Sequence, residues 1–383
     1  MSTDETPADG TRTGAAHDLA PRTREAWQLV RSMLDDLTRI VETDAESELE
    51  LMEGLRALAR LTALCSETSV DADHELPFFR QLNTPIRQLG AANPFVTTHV
   101  AILDGRLRYR IRGRRGTVAG LGFQVLAGRG LAPRRIAAYV PDHELPVLPD
   151  GDFEIVLSRH EPPPHLCQAA LWVDIPDDAS AVVASQYVAD PVHEDPALHA
   201  IEPLDRPAPP SLPHDHALGQ QLTELAWSVA RLATLHRTVR PELLATPNRM
   251  EAIPAALLGT GASTSPDDRC LIGSFRLAAD EALVIDLLPP PTRWWSIALE
   301  SVWHECFDVR SRPTSASNAS AARRPDGSVR FVVAARDPGV PGVNWLDTGG
   351  RHRGFVTLRW IDHPEAPPLV ARVLPLRAVA LPD

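Results

Sequence analysis

Lysine is absent from the chain: all 38 basic residues are arginine. That excludes a Schiff-base lysine, and with it pyridoxal-type chemistry, and it excludes the lysine of a phosphate-binding loop. Cysteine is scarce. The four residues (Cys65, Cys167, Cys270, Cys306) are far apart with no Cys-x-x-Cys pair, so neither a zinc clip nor a disulfide scaffold is indicated, and reduced, buried thiols are expected. No apolar run approaches the roughly 18 residues that a membrane-crossing helix needs. The Ser/Thr/Asp-rich start also lacks the basic-then-apolar layout of a signal peptide. The expectation is a soluble cytoplasmic protein without membrane contact. No Gly-x-Ser-x-Gly elbow exists, Gly273-Ser274 being the nearest approach, and Gly120-x-Gly122 falls inside a strand pattern instead of opening a helix. Serine hydrolases of that type and nicotinamide or flavin enzymes are disfavoured, and no cofactor is expected.

What is present is a globular composition, 44% hydrophobic and 23% charged over 383 residues. That length suits two or three modules, and 36 prolines, nearly double the roughly 5% average usage, suggest many turns and short strands. The net charge of -12 is unevenly placed. Residues 1–75 carry 17 acids against 7 arginines, which leaves the body nearly neutral. An acidic balance argues against a nucleic-acid binder.

Residues 1–22 are polar and expected to be a disordered tail. Within the helical segment 23–92, Trp27, Val30, Leu34, Leu37 and Val41 fall on one helical stripe, and Leu51, Leu55, Leu58, Thr62 and Cys65 repeat the spacing, which predicts a helical hairpin turning near 43–47. From Asn93 the period changes. GRLRYRIRGRRG puts Arg106, Arg108, Arg110, Arg112 and Arg114 on one face of a strand and Leu107, Tyr109 and Ile111 on the other. Further strands follow every 10 to 15 residues, which predicts a first β module over 93–201 of antiparallel sandwich type. A Pro-rich linker spans 202–215 and bridging helices span 216–260, on Leu218, Leu222, Leu225, Val229 and Leu232, with a shorter helical piece opening at Pro247-Asn248. Strand patterns then return over 261–383. The fold class is α+β, mainly β: two antiparallel β-sandwich modules, a helical hairpin and a bridging helix. No internal repeat is clear, although a relation between the two β modules stays open.

The stretch ALVIDLLPPPTRWWSIALESVWHECFD, followed by RPDGSVRFVVAARDPGVPGVNWLDTGGRHRGFVTLRW, resembles the bacterial family of domain of unknown function 1214. NPFVTTHVAILDGRLRYRIRGRRG and DGDFEIVLS are similar to the companion half of its long actinobacterial members. The resemblance implies a jelly-roll-like C-terminal sandwich and assigns no activity. The chain departs from the family pattern after Asn93-Pro94 and around Pro162 to Gln168.

Candidate sites concentrate in the C-terminal module. Along Trp294 to Phe307, read as one strand, Trp295, Ile297, Leu299, Ser301, Trp303, Glu305 and Phe307 share a face, and Glu300, Val302, His304 and Cys306 lie on the other. A carboxylate at Glu305 beside Trp303 in an apolar wall would have a raised pKa suited to a general acid; the plain alternative is a strand-end Glu in solvent or paired to an arginine. Asp337-Pro338-Gly339 has turn chemistry. Trp345 between Asn344 and Asp347 offers a flat platform with flanking hydrogen-bonding groups, against the plainer reading of a plug whose neighbours satisfy loop backbone. His352, between Arg351 and Arg353, is a candidate base or a solvated loop residue. His214-Asp215-His216 has a metal-like spacing without further ligands nearby, and Asp215 reads better as a helix cap; no metal is expected. The basic face from Arg106 to Arg114 reads either as an anion site or, in preference, as the dock for the acidic N-terminal helices.

The expected function is thus a cofactor-free acid/base enzyme acting on a small hydroxylated or glycosidic ligand in the mouth of the C-terminal sandwich. Glu305, Asp347 and His352 would be its reactive groups and Trp303, Asn344, Trp345 and Arg359 its binding residues. The alternative is a noncatalytic small-ligand-binding or protein-interaction module.

Overall fold

The computed structural model describes residues 19–87, 93–128, 134–166, 169–205, 212–238, 241–252 and 265–379. Two long helices come first, α1 (Pro21–Asp44) and α2 (Glu48–Ser69), and α3 (Asp215–Ala233) lies beside them with two short successors, α4 (Leu235–Thr238) and α5 (Glu242–Ala245). Their shared core is Ala26, Val30, Leu37, Leu58, Cys65, Leu222, Leu225 and Val229. The helical stripes are thus those expected, with one rotation: Trp27 is 52% exposed and Ala26 takes the buried place. On α2 the burial runs through Ala57, Leu58, Leu61 and Leu64, leaving Leu55 outside. Residues 1–18 of the expected disordered tail lie outside the described residues; Pro21 and Arg22 are already helical.

Asp215 caps a helix, though a different one from that expected. His214 is the N-cap of α3 and accepts from Ala217 N, whereas the Asp215 carboxylate accepts from the backbone N–H of Thr23 (2.8 Å) and Arg22 (3.3 Å) at the start of α1. The first turn of α1 has no capping side chain of its own, so its orphan N–H groups are satisfied from α3. This contact and one at Asp44, below, align α1 and α3 side by side and parallel.

The first β module contains β1 (Arg80–Gln81), β2 (Val96–Ile102), β3 (Tyr109–Arg114), β4 (Gly120–Ala127), β5 (Arg135–Val140), β6 (Asp152–Ser158), β7 (Leu171–Asp174), β8 (Ala179–Tyr187) and β9 (Leu198–Pro203). The second contains β10 (Arg249–Ala252), β11 (Arg269–Arg276), β12 (Glu281–Leu287), β13 (Trp295–Glu300), β14 (Ser315–Ser317), β15 (Val329–Ala334), β16 (Asn344–Asp347), β17 (Arg353–Trp360) and β18 (Leu369–Pro375). In the first the sheet orders are β1-β2-β8-β4-β5 and β7-β6-β3-β9; in the second they are β10-β11-β17-β13-β14 and β16-β15-β12-β18. Adding nine to every strand number of the first module reproduces the second. Even the two parallel edge pairs correspond, β6 with β7 and β15 with β16.

The chain therefore holds a topological duplication, and the repeat is visible in the residues once the strands are aligned. Pro149-Asp150-Gly151 and Pro325-Asp326-Gly327 open β6 and β15. Both glycines sit at positive φ (88° and 84°), where a Cβ is disfavoured, and both aspartates accept the N–H two residues on. Leu171-Trp172-Val173-Asp174 and Asn344-Trp345-Leu346-Asp347 form the matching edge strands.

Each module buries an apolar core between its two sheets, from Tyr109, Ile111, Phe123, Phe153 and Val182 in the first and Trp295, Ile297, Phe331, Val356 and Leu358 in the second. The alternation read around Tyr109 and Ile111 is borne out; both are fully buried. The basic face opposite does not dock the N-terminal helices. Arg110 and Arg112 pair with Glu154 of β6 and Glu202 of β9, and Arg114 pairs with Asp152, all within its own sheet. Cross-strand neighbours lie about 5 Å away and satisfy these guanidinium groups before any helix can. Two boundaries also shift. β9 runs into the expected linker at Glu202 and Pro203, and Pro247-Asn248 opens strand β10 where a helical piece was expected, Asn248 taking φ 67°.

His99 on β2 and His199 on β9 meet inside the first module, ring centroids 4.8 Å apart beside Phe79 and Phe123, each with a buried Nδ1 lacking a partner. Burial pushes both imidazoles below the usual value, His199 to about 4 from 6.5. The unfolded chain therefore takes up protons first as pH falls. Stability should be complete above about pH 6.5, decline on the order of 3 kcal/mol between 6.5 and 4 on account of His199, and change no further from this residue below that. Urea unfolding of wild type and His199→Phe at pH 7.5 and 4.5 checks this. The variant should lose less stability than wild type on acidification; equal losses would contradict it.

Candidate functional site

The turn between α1 and α2 carries Asp44, Glu46, Glu50 and, one turn on, Glu53. All four meet arginines of other elements. Glu50 accepts two hydrogen bonds from Arg353 at the start of β17 (2.8 and 2.6 Å), and Arg353 also donates to Glu46 (2.6 Å) and to the Asp44 carbonyl (2.9 Å). Arg276 at the end of β11 takes both Glu46 oxygens, and Arg351 grips Glu53. Burial alone would push the Glu50 carboxyl up, yet the hydrogen bonds from Arg353 and the Glu46 N–H outweigh it and hold it below the usual range. Glu46 is held low chiefly by Arg276. The helical hairpin is thereby fixed to the five-stranded sheet of the second module.

A cavity of about 310 Å³ opens where the C-terminal end of α1, α4, α5 and the residues after β13 converge, lined by Asp44, His236, Arg237, Trp303 and Arg353 among polar groups and by Leu244 among apolar ones. His236 Nε2 lies 2.7 Å from Asp44 Oδ2, and Arg237 donates to both Asp44 oxygens (2.6 and 2.7 Å). The Arg237 hydrogen bond holds the Asp44 carboxyl below the usual range. Burial lowers the His236 pKa against the opposing pull of Asp44. Neutral His236 then donates its Nε2 proton to Asp44 and keeps the Nδ1 lone pair, the arrangement of an oriented base. Its ring meets Trp303 edge to face at 4.9 Å.

Trp303 is positioned by a turn, not by a strand. β13 ends at Glu300, and the chain reverses through Ser301–Glu305, closed by Ser301 N–H to Glu305 O (2.7 Å) and His304 N–H to Ser301 O (3.0 Å). Expecting one strand from Trp294 to Phe307 overlooked this reversal, which uses neither Gly nor Pro; His304 itself takes φ 59°. The indole of Trp303 donates to Glu50 O (2.9 Å) and packs on Val41 and Ala57. A Cβ at position 54 would come within 2.8 Å of it, so Gly54 allows the helix to approach. Behind the turn, His304 Nδ1 lies 3.0 Å from Glu300 Oε2, Thr357 Oγ1 donates to Glu300 Oε1 (3.0 Å), and the His304 ring stacks on Phe355 at 4.2 Å. Both His304 and Glu300 are 1% exposed.

The residues singled out from sequence are each engaged with partners outside that set. Glu305 is 5% exposed and bonded through both oxygens to Arg60 of α2 (3.1 Å each), its pKa raised by burial against the pull of that arginine. Asp347 is buried against Arg312 (2.6 Å) and accepts from Gly349 N–H. The His352 side chain is 44% exposed, 3.8 Å from Glu46 Oε2. Arg359 pairs with buried Asp268. Asn344 exchanges hydrogen bonds with the Ala322 backbone, and Trp345 lies with Val284 and Val332 on the outer face of the four-stranded sheet, away from Trp303. Trp345 Nε1 donates to Ala334 O, and its counterpart Trp172 donates to Ser158 O at the matching register position. A contact repeated in both modules is a strand-edge fastening. Of the named residues, Trp303 alone lines the cavity. Asp44, His236, Arg237 and His304 were missed; Glu300 and His304, on the face opposite Glu305, were the available signal.

Among the described residues no group of three or more His, Cys, Asp or Glu is arranged to hold a metal, Cys65, Cys270 and Cys306 are unbridged, and no helix is long and apolar enough to cross a membrane. A larger groove of about 600 Å³ on the first module has its Arg135 and Arg159 already paired with Asp178 and Asp177.

Residues 281–365, which include the turn and Arg353, match the family described as protein of unknown function (DUF1214). Among solved structures the chain is similar to an uncharacterised protein from Burkholderia cenocepacia, at 30% identity and TM-score 0.86, over 94% of this chain and 99% of that one. A protein from Vibrio parahaemolyticus matches at 9% identity and TM-score 0.48, over 83% of this chain and 98% of that one. No curated protein matches.

If Trp345 is a fastening, Trp345→Phe should cost about 1 kcal/mol of stability, one hydrogen bond, and leave ligand-induced thermal shifts unchanged. A folded variant that no longer responds to ligands bound by wild type would return Trp345 to the binding site.

Proposed function

The chain belongs to the DUF1214 family of proteins of unknown function, and from that premise we propose that it binds a small, uncharged, hydroxylated molecule in the cavity beside Trp303 and moves a proton on it, with His236 as the base and Asp44 as the group that orients it. The observation that carries the reading is the Asp44–His236 pair lining a cavity whose volume is at the lower end of the roughly 300–1,000 Å³ usual for ligand pockets. Trp303 supplies a flat apolar wall, and Leu244 a second one.

Charge selects the ligand class. Both arginines at the cavity already face protein carboxylates, Arg237 engaging Asp44 through Nε and Nη2 and Arg353 engaging Glu46 and Glu50. A carboxylate or phosphate would have to share an arginine whose charge is already offset by a protein carboxylate and would meet Asp44 itself, whereas a hydroxyl needs only the lone pair of His236. One carboxylate lines the cavity, so the two-carboxylate scheme of glycoside hydrolysis has no second member there and the glycosidic alternative recedes.

The duplicated fold adds an independent support. In the first module the outer face of the five-stranded sheet packs Val100, Leu126, Ala181 and Val183 under Leu61 and Leu64 of α2, and the polar groups it buries beside them are Arg80, Thr98, Gln124 and Ser185, with no carboxylate. The corresponding face of the second module buries Glu300, Thr357 and Arg353, joined by His304. The difference between the two faces is the buried carboxylate and its histidine; a buried carboxylate costs free energy, and such groups collect where chemistry uses them.

The Arg237 bonds to Asp44 favour a second reading. A carboxylate already doubly bonded to an arginine raises the basicity of its histidine less, which suits a noncatalytic binding pocket of the same shape. A thermal-shift screen of small polyols, hydroxy-ketones and hydroxy-acids separates these outcomes. Neutral hydroxylated compounds should raise the melting temperature, and His236→Asn should abolish the response. Turnover of a bound compound by wild type and its loss in His236→Asn would establish proton transfer; binding without turnover would leave the pocket alone; a response confined to anions would overturn the ligand class.

A further inference from the structure

His304 combines three costly features at one residue. Its backbone holds φ 59° without being glycine, a strained conformation for a side chain of this size. Its ring is removed from water together with the Glu300 carboxylate. Its Nε2 is buried and has no hydrogen-bond partner. Such features persist when the surroundings over-determine them, and here they do. Val302 and Trp303 on one side line the cavity, Glu305 on the other is tied to Arg60, and Phe355 supports the ring. Glu300, held by Thr357, faces Nδ1, so that on a neutral ring with its proton at Nδ1 the Nε2 atom is an unused acceptor. His236 across the turn presents the mirror arrangement, with Asp44 on Nε2 and a lone pair on Nδ1. The two imidazoles lie within electrostatic range of each other, with Trp303 between them in the chain and in contact with His236.

Resting on the cavity being the ligand site, we propose that Glu300 and His304 form a second ligand-binding pair, His304 Nε2 accepting a hydrogen bond from a second hydroxyl once Val302 and Trp303 yield, so that the ligand is a polyol or other molecule with two neighbouring hydroxyl donors. His236 takes one hydroxyl from the helical side and His304 the other from the sandwich side. A single-hydroxyl compound engages His236 alone.

The test is a histidine ring nitrogen-15 titration of the full wild-type chain with glycerol, xylitol and myo-inositol, and with 1-propanol as the single-hydroxyl control. The His304 signals are assigned by their loss in His304→Asn, asparagine being tolerant of positive φ; should that variant not fold, Glu300→Gln assigns them through the altered Nδ1 signal. A polyol should move both His236 Nδ1 and His304 Nε2 upfield, and 1-propanol should move His236 alone. Where it folds, His304→Asn should weaken xylitol or inositol binding about tenfold and leave 1-propanol unaffected. A polyol that moves His236 and leaves His304 still overturns this inference while the cavity reading stands. Polyols that move neither overturn both.

Discussion

A buried set of carboxylate–guanidinium contacts holds the helical hairpin on the second sandwich, and the rest of the molecule is arranged around it. Glu50 and Arg353 are almost wholly removed from water. Desolvating two such charges is repaid only by near-ideal geometry, and the planar fork of arginine provides it. A chain whose only cations are arginines is well supplied for this. Because Arg353 also reaches Glu46 and the Asp44 carbonyl, it sets where α1 ends, and α1 ends with Asp44 facing His236 and Arg237. The cavity is therefore a consequence of the ion pairs: one wall is helical, the other is sheet, and the arginine at the start of β17 ties them together.

Duplication followed by divergence explains why the polar groups collect on one side. Both modules keep the same strand order, the same Pro-Asp-Gly turn and the same Trp-to-carbonyl fastening at the parallel edge. Their outer faces differ. The first sandwich packs Val100, Leu126, Ala181 and Val183 against α2 and buries no carboxylate on that face; the second buries Glu300 together with Thr357 and Arg353. The turn at Ser301–Glu305 is where the helical body and this polar face meet, with Trp303 bonded to Glu50, Glu305 to Arg60 and His304 to Glu300.

Much of the fold is legible in the residues. Alternation at Tyr109 and Ile111 and helical spacing at Val30, Leu37 and Val41 fixed element types, because burial on one face writes a period into the sequence. The duplication was not clear from the sequence: the two Pro-Asp-Gly turns and the two Trp-x-Asp edge strands carry it, but they match only once the strands are aligned. The partners of the charged residues were not legible either. Arg110 and Arg112 found acids on neighbouring strands, and the acids of the hairpin found Arg353 and Arg276, since pairing follows register and docking, which no local pattern records. The candidate site was the least legible part. Asp44 and His236 are 192 positions apart, and the left-handed backbone of His304 ends a strand without glycine or proline.

The central claim is that buried ion pairing between hairpin and sheet builds the cavity wall. A double-mutant cycle on Glu50→Gln and Arg353→Met, read by urea unfolding at low and high salt, tests it most directly. The account expects a coupling of about 2 kcal/mol or more that salt barely reduces, since the pair is shielded from solvent. A coupling within about 0.5 kcal/mol of zero, or one that salt removes as for exposed pairs, would contradict it.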